Sequence, residues 1–215
     1  MIQKRDPLAR NTPKTRSNKG RTFPPEVLTS EEVAALLKAP SRRAPTGVRN
    51  RALLTVLYRA GLRISEALDL FPKDIDLGSG TVRVLHGKGD KMRTVALDPE
   101  AQAVLELWLQ KRTALGHNAR QAVFCTLKGV RVSADYVRAM LPRLARRAGI
   151  NKRVHAHGLR HTMASEMRTE GRDIGAISKA LGHSSIATTA RYLDHVNPQA
   201  VVDMMRSRTW EAPKL

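Results

Sequence analysis

Cysteine is nearly absent from this 215-residue chain, which contains only Cys125. One thiol excludes an internal disulfide framework and is compatible with a reducing compartment. It lies in the apolar run AVFCTL, where a buried, inert thiol is expected rather than a catalytic one. Aromatic residues make up 4% of the chain, too few for the base-stacking platforms of single-strand binders. Long apolar runs are missing as well: none approaches the ~18–20 residues that cross a bilayer. The basic N-terminus MIQKRDPLAR has no apolar stretch behind it, so no secretory leader is expected, no membrane partner, and a cytoplasmic location.

Acidic residues are the other scarcity. Nineteen Asp and Glu face 38 Lys and Arg, for a formal net charge of +19. That charge repels itself unless a polyanion neutralises it. Nucleic acid is the expected partner, because each neutralised phosphate releases a counterion. A ribosome-like structural role or a membrane-surface protein are the alternatives. With few aromatics, backbone reading of double-stranded DNA fits best. The hydrophobic content of 41% is enough for one sizeable core.

Residues 1–25 read as a flexible basic arm, with seven Lys and Arg against Asp6 and no periodic apolar face. A single domain is expected over 26–215. Thr29 and Glu32 have the spacing of a capping box before a helix. GVRNRALLTVLYRAG reads as a buried helix closed by Gly61, and RISEALDL as a second helix stopping before Pro72. Two β-rich runs, 81–86 and 92–97, flank the glycine-containing turn GKGDK and signal a hairpin. Asp98-Pro99 starts a helix to about Arg112. A short strand is expected at 122–125, a basic helix from the cap Ser133 to about Ala148, and further helices near 157–170, 173–181, 185–192 and after Pro198. The fold class is therefore α+β, mostly helical, with one small antiparallel sheet.

The stretch VHAHGLRHTMASE places His155, His157, Arg160 and His161 within seven positions. On a helix at about 100° per residue, His157, Arg160 and His161 share one face. Leu159, Met163 and Met167 form an apolar stripe on the other, and the cationic face is expected to be displayed near the helix N-terminus. An anion there explains such a face; an arginine salt-bridged to a carboxylate is the competing structural reading. His157 and His161 have zinc-ligand spacing, but Gly158 stands where a zincin has its general base, and no second cysteine or carboxylate cluster completes a site. No metal is expected.

HGLRH followed by LGHSSIATTARY resembles the C-terminal signature of the tyrosine recombinases, the phage integrase family. YRAGLRISEALDL resembles the family's first arginine motif, and HGKGDKMRTVAL its lysine-bearing hairpin. The similarity runs from roughly residue 26 to 197 with all four motifs in family order. It implies a tyrosine recombinase catalytic domain, with little or no counterpart of the separate N-terminal helical domain. It also implies DNA cleavage by a tyrosine that forms a 3′-phosphotyrosyl bond. Tyr192 matches the nucleophile, and Arg63 and Arg160 match the phosphate-binding arginines. Lys88 matches the lysine that protonates the leaving 5′-oxygen, and His157 and His183 the proton-handling histidines. Glu66 and His161 are expected to brace the site. Lys91, Arg93 and Arg138 are expected to contact DNA, while Tyr58, Tyr136 and His155 are expected to be packing or surface groups.

No cofactor follows from this chemistry, because one phosphodiester is exchanged for another. A homo-tetramer on paired DNA sites, with accessory DNA-bending or directionality proteins, is the implied assembly, monomeric without DNA. The readings set against a recombinase (integrase or invertase) are a type IB topoisomerase and an inactive DNA-binding accessory protein.

Overall fold

The computed structural model describes residues 26–85, 92–183, 185–193 and 205–206, with residues 188 and 191–193 described by their backbone alone. The basic arm at 1–25, the hairpin turn with Lys88 and Lys91, and all but two helical residues of the segment after Pro198 lie outside them.

The first helix, α1 (Ser30–Lys38), starts at the expected capping box: Thr29 accepts from the Glu32 N–H, and Glu32 accepts from the Thr29 N–H. The next, α2 (Pro45–Arg59), is the central element. Its Ala52, Leu53, Leu54, Val56 and Leu57 are completely buried, each leucine contributing roughly 2 kcal/mol of apolar transfer. It packs against α4 (Pro99–Ala114) and α6 (Ala156–Thr169). Gly61 ends it with φ 58°, and a Cβ there would lie 2.5 Å from Met163 Sδ. This close approach, as well as the backbone, requires glycine.

The short α3 (Ile64–Leu68) follows, and Arg63 stands before it as the N-cap with extended backbone rather than within the helix. The sheet has three antiparallel strands in the order β1 (Ile75–Asp76), β2 (Thr81–Val84), β3 (Arg93–Ala96). Two-residue β1 is too short to carry an alternation that sequence could reveal. In the β2–β3 register Val82 faces Val95 and Val84 faces Arg93, so these four side chains share the inner face.

The expected strand at 122–125 is not one. Cys125 makes a single bridge to Arg131, and the rest of the segment is held by backbone and side chains together: the Val123 N–H donates to the Leu70 carbonyl, and the Phe124 carbonyl accepts from the Val132 N–H. Arg112 donates to the Ala122 carbonyl, Trp108 to Val123 and Arg49 to Cys125. Its polar backbone is thus partly satisfied inside the core without a neighbouring strand. Cys125 is fully buried, as its apolar context implied.

The basic helix α5 (Ala134–Arg147) is capped by Ser133. Beyond it, α6 leads into α7 (Ile174–Leu181), which ends at left-handed Gly182, and then α8 (Ile186–Leu193). Helices α7 and α8 both pack on α6. For that reason α6 is not two-faced as its sequence suggested: Arg160 is 1% and His161 8% exposed, and only His157 of the expected cationic face is on the surface.

Candidate active site

Arg63, His157 and Arg160 line one cleft of about 560 Å³, bounded by α3, α5 and the start of α6. Its walls include Ser65, Arg138, Arg153 and His155. Arg138 stands at this cleft with an exposed side chain, paired to exposed Asp135 at 2.6 Å. His155 is the N-cap residue of α6 but makes no side-chain cap bond. Its ring centroid lies 6.5 Å from that of His157, and a Cβ on Gly158 would sit 3.0 Å from the His155 Nδ1. His157 meets His161 edge-on at 4.7 Å.

Buried Arg160 ties the site to the backbone. Its guanidinium donates to the carbonyls of Gly61 and Leu181, two residues before Arg63 and two before His183. One side chain of α6 therefore sets the chain turns that carry both residues. Carbonyls bring only partial charge, so these bonds leave the formal charge of Arg160 intact.

Arg63 is half-buried and linked to Glu66. Its Nη1 donates to Oε1 at 2.5 Å, its backbone N–H to Oε2 at 2.8 Å, and its Nη2 reaches the Gly182 carbonyl at 3.4 Å. The Glu66 side chain is 1% exposed. Burial alone would raise its carboxyl pKa, but hydrogen bonds from Arg93 and the Arg63 N–H, with the charge of Arg93, bring it down to about 2.

Arg93 departs from expectation. Its Nη1 and Nη2 hold the two Glu66 oxygens at 2.9 and 2.8 Å, and its Nε donates to the Ala180 carbonyl at 3.1 Å. The guanidinium expected on DNA is turned inward, because Arg93 shares the inner face of β3 with Val95.

Three of the histidines have lowered pKa values. Partial desolvation, then the charges of Arg160, His155 and Arg63, lower the pKa of His157. Burial first, and next His157, His155, Arg160 and His183, push His161 down to about 3. Burial, with Arg160, Arg63, His157 and Arg93, brings His183 down to about 4. These mutual effects gather Arg63, Arg93, His157, Arg160, His161 and His183 into one cationic region. His183 Nδ1 is hydrogen-bonded to Thr189 Oγ1 at 2.8 Å. Fully buried Thr189, which sequence reasoning missed, lies in α8 three residues before Tyr192. Tyr192 itself is described by its helical backbone alone.

The other two tyrosines have structural partners. Tyr58 donates to Glu166, whose contact, after burial, raises its pKa to about 12. Tyr136 is hydrogen-bonded with Arg49 and Asn50, both buried. Among the described residues no group of three or more His, Cys, Asp or Glu is arranged to hold a metal ion. Among them, too, no helix is long and apolar enough to cross a membrane.

The family model described as the phage integrase family matches residues 26–199. The chain belongs to the phage integrase family. It is 41% identical over 186 residues to the tyrosine recombinase XerC of Xanthomonas axonopodis pv. citri, covering 86% of this chain and 59% of that protein. It is 37% identical to the tyrosine recombinase XerD of Ralstonia nicotianae, over 78% of this chain and 55% of that one. The chain thus spans a little under three fifths of these relatives.

The crystal structure of XerA recombinase superposes with a TM-score of 0.75 at 32% identity, covering 88% of this chain and 68% of that one. XerH recombinase bound to palindromic difH, a post-cleavage complex, gives 0.71 at 30% identity, over 86% and 54%. The catalytic domain of bacteriophage HP1 integrase gives 0.56 at 23% identity, over 88% and 98%, and bears on the fold alone. Relatives that are recombinases do not favour the topoisomerase or inactive-binder readings.

Proposed function

We propose that this integrase-family chain is the catalytic part of a site-specific DNA recombinase that cuts and rejoins duplex DNA through a 3′-phosphotyrosyl bond at Tyr192. The observation that carries the proposal is the clustering of Arg63, His157, Arg160 and His183, with α8 bonded to His183 through Thr189. Two arginines accept the charge that develops on the non-bridging oxygens, which a guanidinium does while staying protonated.

The Tyr192 phenol, pKa ordinarily about 10, attacks phosphorus as the bond to the 5′-oxygen breaks. A neutral His157 is suited to taking the phenolic proton, His183 to donating a hydrogen bond to the phosphate, and Lys88 to protonating the departing oxygen. A 5′-hydroxyl of the partner strand reverses these steps, so bond energy is conserved and no cofactor takes part. The assembly proposed is a homo-tetramer on two duplex sites, with accessory proteins setting direction, inside the cell where the DNA is. The net charge of +19 and a relative solved on its DNA site support DNA as the partner.

The test is a pool of nicked duplexes with randomised half-sites, in which the fragment bearing the freed 5′-hydroxyl diffuses away and traps the intermediate. Wild type is expected to give a denaturant-resistant protein–DNA adduct and Tyr192→Phe none. An adduct from Tyr192→Phe refutes the nucleophile assignment; DNA binding with no wild-type adduct refutes the enzyme. Strand exchange between two recovered sites, rather than supercoil relaxation alone, then marks a recombinase.

A further inference from the structure

Resting on that reading, we infer that Arg93 is a positioning residue: by holding both Glu66 oxygens it keeps Arg63 turned toward the cleft instead of paired end-on with Glu66. Glu66 accepts four hydrogen bonds, two from the Arg93 fork, one from the Arg63 side chain and one from the Arg63 N–H. With the fork seated on both oxygens, the Arg63 side chain has only a one-point contact with Glu66. The exposures match this division: 29% of the Arg63 side chain is exposed and 11% of Arg93. Arg63 lines the cleft of His157, whereas Arg93 lines a separate cleft with Met163 and Lys179.

Arg93 also joins the elements that carry the site. It begins β3, five residues after Lys88, and bonds Glu66 of α3 and the carbonyl of Ala180 at the end of α7. Gly182 makes room for it, since a Cβ there would lie 2.9 Å from Arg93 Nη1. Without Arg93, Glu66 has one guanidinium left, and a buried carboxylate draws it into the two-point geometry that satisfies both oxygens. Arg63 then leaves the phosphate. A displacement of about 1 Å at a reacting centre costs on the order of 100-fold in rate.

The experiment pairs two readouts on Arg93→Met. Adduct formation at saturating nicked duplex is expected to slow roughly 100-fold. The salt dependence of binding to plain duplex is expected to stay at its wild-type slope. Adding Glu66→Gln to Arg93→Met removes the competing carboxylate and is expected to restore the rate at least about tenfold. A slope lower by about one makes Arg93 a phosphate contact and overturns the inference. So does an unchanged rate, or a double variant no faster than Arg93→Met. If Arg93→Met does not fold, Arg93→Lys decides: it keeps the charge but loses the fork, and a wild-type rate overturns the inference. Absence of adduct from the wild type removes the recombinase reading and this inference together; a wild-type adduct matched by Arg93→Met removes this inference alone.

Discussion

Replacing Glu66 with Gln should produce a stability defect that fades in acid. The Glu66 carboxyl sits at about 2 in the fold against an ordinary 4.5, burial being outweighed by Arg93 and Arg63. At 1.36 kcal/mol per unit that difference amounts to about 3 kcal/mol in favour of the folded state. The sign follows from the depressed value. Above about pH 4.5 the carboxylate is ionised whether the chain is folded or not, and its contribution is fully present. As pH falls toward about 2 the unfolded chain takes up the proton first, and the contribution is lost. More than half should be gone by about pH 3. Urea unfolding of wild type and Glu66→Gln across this range measures it as the difference between the two proteins, which cancels the titration of the other acids. The gap should be about 3 kcal/mol wider at neutral pH than in strong acid. A gap that does not change with pH would show that an ionised Glu66 is not what holds Arg63 and Arg93.

Thr189→Val, which removes the hydroxyl bonded to His183, should slow adduct formation roughly tenfold, about one hydrogen bond's worth, with Thr189→Ser near wild type; equal rates for Val and Ser would refute a role for the bond. Gly182→Ala should lose more stability than Gly149→Ala in urea unfolding. Both have left-handed backbone, costing about 1–2 kcal/mol, but only Gly182 has a neighbour, Arg93, within 4 Å of the added methyl. Equal losses would refute the close approach. Duplex DNA binding should take up protons at about pH 5 and not at about pH 8. Burial and then the surrounding cations depress His183 to about 4, and an arriving phosphate offsets those cations. Calorimetry in buffers of different ionisation enthalpy reads the uptake, and its absence would refute a phosphate beside His183.

The local elements were legible because each carries its own signal. The Thr29–Glu32 box, Asp98 before Pro99 and the cap Ser133 are all where the sequence put them. Other features were not. The segment 122–125 looked like a strand because it is apolar and β-rich, yet its backbone is met by the side chains of Arg49, Trp108 and Arg112 and by single backbone bonds to Leu70 and Val132, not by a neighbouring strand. Those contacts are distant in sequence and have no period. Thr189 was hidden for another reason: it stands only six residues from the histidine it bonds, but His183 lies outside α8 and the pair follows no helical spacing. Arg93 did leave a signal. Val95 and Leu97 are buried on alternate positions of the same strand run, and Arg93 is in phase with them. An arginine on the inner face of a strand needs acceptors, and Glu66 stands three residues past Arg63 to supply them.

The burial of Arg160 shows why a helical wheel was not enough, and what the fold gains by it. A wheel assumes one wet face, but α6 is covered by α2, α7 and α8. A cation so placed needs acceptors, and it finds the carbonyls of Gly61 and Leu181. Carbonyl acceptors satisfy these N–H groups without cancelling the charge. Arg160 thus keeps its charge through these bonds, while burial and the surrounding cations lower the pKa of His157, His161 and His183. On the proposed reading, a phosphate entering the cleft meets charge already held in place by the core, and its stabilisation requires no reorganisation.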